Sequence, residues 1–185
     1  YIDIPLRYQR DIYARDYTAY SIEKAGAKSE DVIITSDADE IINPLILQNM
    51  DWFDGYNHYV ALQRTFYYQL NVLREEDWMG SRICNWFKLR NTSVDQLRQS
   101  HQDSYRIEQG GWHWSYFGSV DTIQQKLKAC ADSHHGSEDL PEKVDMGKDP
   151  VGRSDLYGAV PLDDSFPEYI LNNQEKYSKF IKPWK

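Results

Sequence analysis

The sequence predicts an α/β fold, and three observations support this prediction. Helical periodicity occurs early in the chain, where Tyr13, Tyr17 and Tyr20 are spaced i, i+4 and i+7. The β-branched segment VIIT at 32–35 lies between polar residues, which is typical of a strand buried on both faces. Acidic residues follow this strand directly, and α/β folds bind ligands at the carboxyl ends of their strands. We therefore expect a ligand site at the edge of a sheet.

Length and composition limit the classes of protein that fit. The chain has 185 residues, 41% of them hydrophobic and 27% charged, which is typical of a single globular domain. Its formal net charge of -8 disfavours general nucleic-acid binding, because such binding depends on Lys and Arg neutralising phosphates. No apolar run reaches about 18 residues, so we expect no membrane span in this segment. Cys84 and Cys130 are far apart and indicate neither a disulfide framework nor a zinc site.

Local signals place the elements of the first half of the chain. A first helix is predicted over residues 6–25, because Gly26 is a favoured C-terminal residue that tolerates positive φ. Pro44 is predicted to start a short helix that ends near Met50. Residues 58–64 and 66–70 are predicted to form one or two strands, and residues 82–89 another.

The second half begins with a glycine-flanked aromatic segment, GGWHWSYFG at 110–118, where we expect close approach of the backbone. Ser119 is predicted to cap a helix that continues to about Asp132. Residues 134–164 are polar and rich in Gly, Pro and Asp, which predicts a long functional or disordered loop. Pro167 is predicted to open a last helix that ends before Pro183.

The first chemical signal is Asp37-x-Asp39 at the end of the strand at 32–35. Because side chains alternate along an extended chain, both carboxylates can point the same way with room for one ion. Such hard oxygen ligands suit Mg²⁺ or Mn²⁺, which complete their shells with water and substrate phosphates. A solvated turn is the alternative interpretation. An EF-hand is excluded, because Ile42 stands at the sixth position, where that loop requires Gly.

His113 is the second chemical signal. It lies between Trp112 and Trp114, where a neutral imidazole can bind a metal ion, and a hydrogen-bonded structural histidine is the alternative. Trp112, Trp114 and Tyr116 are candidates for an acceptor platform, because their rings combine apolar faces with polar edges that suit carbohydrate. Alternation along the strand requires one face to pack inward, so an aromatic core is the competing interpretation.

Several common catalytic motifs are missing from the sequence. It contains no Gly-x-Ser-x-Gly, no phosphate-binding Gly-rich loop, no His-Glu-x-x-His and no Cys-x-x-Cys. Their absence removes the commoner hydrolase, kinase, zinc-protease and redox interpretations. Metal-assisted transfer is the chemistry that remains.

Three blocks of the sequence together match a known pattern: DVIITSDADEI at 31–41, GWHWS at 111–115 with Ile123, Lys126 and Leu127 behind it, and YIL-x-N at 169–173. In these blocks, which appear in family order and over nearly the whole chain, the sequence resembles glycosyltransferase family 17. The resemblance implies a GT-A-type fold, with a mixed central sheet flanked by helices. It also implies an inverting transfer of a sugar from a nucleotide-diphosphate donor, with Mn²⁺ or Mg²⁺ at the acidic motif.

The resemblance also assigns roles to single residues. Asp37 and Asp39 match the acidic motif and are predicted metal ligands, and Asp37 is also expected to contact the donor. His113 matches the histidine of the Gly-Trp-His block and is the candidate that completes the metal shell. Three cations are candidates to neutralise the donor phosphates, with surface or structural salt-bridge roles as the alternative: Arg64, Lys88 and Lys126. The first guess for the donor is UDP-GlcNAc, and for the acceptor a glycan or another hydroxyl compound.

The catalytic base is predicted among three carboxylates. An inverting transfer needs a carboxylate that deprotonates the acceptor hydroxyl. Glu76 and Asp77 in the charged loop are candidates. Glu138 ranks first, because it follows a His-His pair after the Trp-rich block, near a His-and-acid segment of the family.

The resemblance begins downstream of the nucleotide-binding part of the family fold. The strand-helix units that would hold most of the nucleotide are missing before Tyr1, so we expect the C-terminal portion of a GT-A domain, with the rest supplied by the same or another chain. The expected compartment depends on the source of the protein: the cytoplasm if it is microbial or viral, and the Golgi lumen if it is from an animal. Two other functions compete, a noncatalytic carbohydrate-binding module and a metal-dependent phosphoesterase that acts on nucleotide sugars.

Overall fold

The structure, a computed structural model, describes residues 6–100, 104–129, 139–151 and 157–184. It is a mixed α/β fold with a mixed sheet flanked by helices, which confirms the predicted fold class at this level. The strands of the described residues are β1 Val32–Thr35, β2 Glu40–Ile42, β3 Tyr59–Tyr67, β4 Val72–Arg74, β5 Trp78–Asn85, β6 Tyr105–Ser115 and β7 Tyr157–Ala159. The helices are α1 Leu6–Lys24, α2 Leu45–Gln48, α3 Trp86–Arg90, α4 Val94–Gln99, α5 Val120–Ala129, α6 Leu140–Met146, α7 Glu168–Leu171 and α8 Gln174–Tyr177, followed by a 3₁₀ turn at Ser178–Phe180.

Backbone hydrogen bonding orders the strands β1-β5-β3-β4-β7, and β6 pairs with β2 and β3. The chain divides into two compact units. The first unit is Tyr1–Gln63 with Met79–Gly111, and the second is Arg64–Trp78 with Trp112–Lys185. The single glycosyltransferase domain expected from the resemblance stays a prediction.

The core of the first unit joins α1, β1, β5, α3 and α4. β1 runs antiparallel to β5, with Ile33 opposite Cys84, and both residues pack against the apolar sides of α3 and α4. Helix α4 begins at a capping box, in which Ser93 and Gln96 each accept a backbone N–H of the other. Burial in this core raises the pKa of the Cys84 thiol to about 11. β1, which leads into the acidic motif, is therefore packed with α1, α3 and α4 on one apolar core.

The second unit has two apolar clusters. In one, Tyr67 and Tyr116 pack with Ile123 and Leu127 of α5 and with Leu140 of α6. The other is aromatic and contains Phe66, Trp112 and Phe166, with Trp114 packed against it. β4 runs antiparallel to both β3 and β7, so this unit also has its own piece of sheet.

Several local predictions are confirmed. Helix α1 ends at Lys24, and Gly26 follows with φ +85°, the left-handed conformation that glycine favours. β1 has the predicted bounds. The hydroxyl of Ser119 accepts the N–H of Thr122 at 3.3 Å, so Ser119 caps α5 as predicted.

The prediction that β1 is buried on both faces is wrong. Ile33 packs into the core, but Val32 and Ile34 are 39% and 38% exposed. β1 stands at the end of the strand order, and Ile34 lines an open cavity beside α1 instead of meeting a second packed layer.

Other element boundaries also differ from the predictions. The strand predicted at 82–89 ends at Asn85, because the Asn85 side chain accepts the N–H of Lys88 at 2.8 Å and starts α3. The segments at 58–64 and 66–70, predicted as one or two strands, form the single strand β3, which ends before Tyr68 with φ +68°. The predicted loop at 134–164 contains α6 and β7 within its described part, and the last predicted helix is divided into α7, α8 and a 3₁₀ turn.

Candidate functional site

The acidic motif lies in a short turn between β1 and β2 of the first unit. The N–H of Glu40 donates to the carbonyl of Asp37 at 3.0 Å, and the N–H of Asp37 donates to Oε2 of Glu40 at 3.1 Å. Just before the turn, the hydroxyls of Ser36 and Ser81 are 2.6 Å apart, which ties the end of β1 to β5. The motif is thus held by backbone and side-chain hydrogen bonds on both sides.

Gly111 brings β2 and β6 close together on the far side of the motif. A Cβ at Gly111 would lie 2.1 Å from the carbonyl oxygen of Ile41, and the residue has φ +144°. Asn43 continues the contact: its N–H donates to the carbonyl of Gly110 at 2.9 Å, and its side-chain amide to that of Gln109 at 3.0 Å. This confirms the close backbone approach predicted at the glycine pair.

Arg98, at the end of α4, binds two acids of the motif. Its Nη1 donates to Oε2 of Glu40 at 2.9 Å, and its Nη2 donates to Oε1, so the pair is bidentate. The same Nη2 lies 3.0 Å from Oδ2 of Asp37. The Glu40 carboxylate is fully buried, which makes this ion pair one that solvent screens little.

Arg15, on α1, also binds Asp37. Its Nη2 lies 3.2 Å from Oδ2 and its Nε donates to Oδ1 at 3.4 Å, while its Nη1 donates to Asp95 at 2.9 Å. Burial of the guanidinium opposes its charge, but the Asp37 and Asp95 carboxylates outweigh burial and raise the pKa of Arg15. A cavity of about 200 Å³ opens here, lined by Arg15, Asp37 and Arg98 with the hydroxyl residues Thr18, Thr35 and Ser36.

Arg82 is a buried cation that binds the C-terminal end of α4. Its guanidinium donates to the carbonyls of Leu97 at 3.1 Å, Arg98 at 2.7 Å and Met79 at 2.9 Å, and also to that of Gly80. The first two carbonyls are at the C-terminal end of α4, where the last carbonyls of a helix lack intrahelical partners. That of Leu97 also accepts the N–H of Ser100 at 3.3 Å. Burial, and after it the charge of Arg98, lowers the pKa of Arg82 to about 10. Arg82 thus fixes the end of α4 from which Arg98 projects.

The motif as it is arranged fits a divalent cation poorly. Asp37 is paired with two guanidinium groups, and Arg98 occupies both oxygens of Glu40. Asp39 is half-buried. Within the part of the chain that the structure describes, no group of three His, Cys, Asp or Glu side chains is placed to hold a metal ion. The predicted roles of Asp37, Asp39 and His113 as metal ligands therefore stay predictions.

The predicted aromatic residues belong to the second unit, where they are packed. Trp112 and Trp114 lie 17° from parallel, with centroids 6.3 Å apart, and Trp114 stacks on Phe66 at 5.4 Å. His113 is buried, and its ring stacks on Trp78 at 4.9 Å. Tyr116 is buried in the cluster with α5. Trp112 and Trp114 share one face of β6, as alternation requires, and pack in the aromatic cluster. Tyr116 follows β6 with φ +50° and packs in the other cluster. Sugar contact by these rings stays a prediction.

Two of the three cations predicted to neutralise phosphate have partners in the second unit. The third, Lys88, is in the first unit, where its Nζ donates to the carbonyl of Tyr56 at 3.4 Å. Arg64 donates to the hydroxyl of Ser165, and its guanidinium lies 5.3 Å and 5.2 Å from the ring centroids of Phe66 and Phe166. Lys126 donates to the hydroxyl of Ser115 at 3.3 Å and lies 5.0 Å from the ring centroid of Tyr116. These contacts are hydrogen bonds to hydroxyls and ring contacts, and phosphate binding by either residue stays a prediction.

The predicted bases lie in exposed or undescribed segments. Glu76 has a 78% exposed side chain and pairs with Arg74 at 3.3 Å, and Asp77 is also exposed. Glu138, ranked first from the sequence, lies outside the described residues. The identity of the base stays a prediction.

Sequence reasoning missed Arg15, Arg98 and Asp95. Arg15 is 22 residues from Asp37 along the chain, and Arg98 is 58 residues from Glu40, so no local pattern links them. The available signal was indirect: Ser93 and Gln96 form a capping box that places Asp95 and Arg98 on a helix.

Comparison with known proteins connects this site to one family. The sequence model of glycosyltransferase family 17 matches residues 6–180, nearly the whole chain. Comparisons with curated proteins and with solved structures found no match. Among the described residues, no helix has the length and apolar content needed to cross a bilayer.

Proposed function

Because the chain belongs to glycosyltransferase family 17 and is a glycosyltransferase, we propose that it moves a sugar from a nucleotide-diphosphate donor to a hydroxyl acceptor with inversion. The observation that carries this proposal is the family match, which spans both the acidic turn and the Gly-Trp-His segment. We also propose the GT-A form of the fold, which is compatible with a mixed sheet flanked by helices and an acidic turn at the end of a strand.

The proposed transfer is a single displacement. The acceptor oxygen forms a bond to the anomeric carbon, the bond from that carbon to the diphosphate oxygen breaks, and its electron pair leaves with the nucleoside diphosphate. The acceptor proton passes to a carboxylate, for which Glu138, Glu76 and Asp77 are the candidates. Holding the acceptor and the donor in the right orientation supplies much of the rate enhancement in such a step.

We assign donor binding to the acidic turn and the cavity beside it. The carboxylates there can accept hydrogen bonds from sugar or ribose hydroxyls, and the hydroxyls of Thr18, Thr35 and Ser36 line the same cavity. Arg15 and Arg98 act as positioning residues, because they hold Asp37 and Glu40 in one arrangement. UDP-GlcNAc is the first donor to test, with a glycan as acceptor.

The test is a turnover screen of the full-length protein with UDP-, GDP- and dTDP-sugars and hydroxyl acceptors, run with Mn²⁺ and with a chelator. We expect transfer from one donor class with inverted anomeric configuration. Donor hydrolysis without transfer would favour the phosphoesterase, and glycan binding without any turnover would favour the binding module. Equal rates with Mn²⁺ and with chelator would remove the predicted cation from the mechanism.

Asp39→Asn is expected to lower turnover at least about 100-fold while leaving the fold intact. Asn is nearly isosteric with Asp, but it replaces one acceptor oxygen with an NH₂ donor and loses the charge that strengthens hydrogen bonds from the hydroxyls of the donor. The measurement is kcat/KM beside thermal unfolding, with Asp51→Asn, an exposed carboxylate of the same unit, as the control. Turnover within a few-fold of wild type in Asp39→Asn would contradict the assignment of the acidic turn.

A further inference from the structure

A second cavity in the first unit combines exposed aromatic rings with hydrogen-bonding side chains. Its volume is about 510 Å³, within the range of about 300–1,000 Å³ found for small-molecule sites. None of its lining residues lines the cavity at the acidic turn. We call it the Tyr56 groove; it is lined by Ser29, Glu30, Gly55, Tyr56, Asn85, Phe87, Lys88, Asn91 and Thr92.

The backbone that carries Tyr56 is fixed by many hydrogen bonds. Oδ1 of Asp54 accepts the N–H groups of Tyr56 and Asn57, both at 2.9 Å, and its Oδ2 accepts the Asn57 side chain at 2.6 Å. These bonds, led by the one from the backbone of Asn57, lower the pKa of Asp54 to about 2, so the turn keeps its anchor throughout the neutral and mildly acidic range. Asn85 donates to the carbonyl of Gly55 from the other side.

The Tyr56 ring itself is mostly exposed to solvent, although its backbone is ordered. It is 86% exposed, although the carbonyl of the same residue accepts a hydrogen bond from Nζ of Lys88 at 3.4 Å. Phe87, on the opposite element α3, is also exposed, and its N–H is bound to the carbonyl of Ser29 at 3.0 Å. Two exposed rings on rigid backbone are prepared to contact a ligand without further ordering of the chain.

The polar residues of the groove indicate the chemistry of that ligand. Glu30 and Lys88 carry opposite charges, so the residues that line the groove have no net formal charge. Amide and hydroxyl groups from Asn91, Thr92 and Ser29 can both donate and accept hydrogen bonds. A sugar presents hydroxyls at its edge and an apolar C–H face to an aromatic ring, whose face is electron-rich.

We propose that the Tyr56 groove is a binding site for a neutral oligosaccharide. The Tyr56 ring packs against the C–H face of one sugar unit, and the amides and hydroxyls of the groove bind the hydroxyls of that unit and its neighbour. This site is separate from the proposed donor site at the acidic turn. An oligosaccharide can occupy it without donor and without turnover.

The test is a calorimetric and NMR titration of the full-length protein with chitotriose, mannotriose and maltotriose, and with sialyllactose as the charged probe. Protein from a bacterial host is used, so that the sequon at Asn91-Thr92-Ser93 carries no glycan that could fill the groove. We expect at least one neutral trisaccharide to bind at concentrations below about 10 mM and to shift the Tyr56 ring signals. Binding of none of the three, or preferential binding of sialyllactose, would overturn the proposal.

Substitutions at Tyr56 separate ring contact from a general effect on the fold. Tyr56→Ala is expected to weaken trisaccharide binding about tenfold, while Tyr56→Phe retains the ring and most of the affinity. Tyr13→Ala removes a tyrosine that is 70% exposed and lies outside the groove, and it is the matched control. Unchanged affinity in Tyr56→Ala would refute the site. Since no donor is present, failure of the transferase proposal would leave this result unaffected.

Discussion

Gly111→Ala is expected to lower the free energy of unfolding by about 3–5 kcal/mol, as the sum of steric overlap and backbone strain. The new Cβ would meet the carbonyl oxygen of Ile41 at 2.1 Å, and the next atoms, the N of Asn43 and the Cα of Ile42, are also backbone. A backbone atom cannot relieve the overlap by a change of rotamer, as a flexible side chain can. Relief therefore requires β2 to move away from β6, and β2 begins at Glu40 of the acidic turn.

Two other glycines serve as controls for this prediction. Gly118 has φ +122°, but an added Cβ would lie 3.5 Å from the nearest atoms of Thr122, so Gly118→Ala tests strain without overlap. Gly158 has an ordinary φ and open space around it, so Gly158→Ala is expected to change stability by less than about 1 kcal/mol. Chemical denaturation followed by circular dichroism measures all three. If Gly111→Ala cost no more than Gly118→Ala, the close approach of β2 and β6 would be disproved.

Arg98→Ala is expected to cost about 3–5 kcal/mol of unfolding free energy, because it leaves the buried Glu40 carboxylate without its bidentate partner. Arg98→Lys keeps the charge but loses the planar fork, so it should lie between alanine and wild type. Transfer should fall in Arg98→Ala, since Asp37 also loses one of the two ion pairs that position it, and should fall less in Arg98→Lys.

A double-mutant cycle with Glu40→Gln separates the ion pair from general packing. The amide is uncharged, so the double variant Arg98→Ala with Glu40→Gln should recover part of the stability that Arg98→Ala loses. Arg10→Ala, which removes an exposed cation from α1, is expected to stay within about 0.5 kcal/mol of wild type. Additive losses in the double variant would show that the two side chains do not act as a pair.

The sequence predicted those features that local chemistry determines. Gly26 ends α1, Ser119 caps α5, and the β-branched run forms β1, because each depends on residues within a few positions of it. The close approach at Gly111 was also predictable, since adjacent glycines leave room that other residues would fill.

The ion pairs of the site could not be predicted in the same way. Arg15 reaches Asp37 only because α1 packs on the core shared with β1 and α4, and that packing depends on the whole unit. Similarly, alternation showed that Trp112 and Trp114 share one face, but their burial depends on Phe66 and Phe166 from distant segments. The strand predicted at 82–89 failed because its apolar residues suit a strand or a short helix, and the choice rests on the side chain of Asn85.

The acidic turn is anchored at both ends, by β1 and Ser36 on one side and by β2 and Gly111 on the other. A ligand that binds such a turn loses little free energy to restricting loop motion, since the chain entropy was already lost when the domain folded. Recognition here should accordingly be selective for ligand shape, because the carboxylates have little freedom to follow a donor of different geometry.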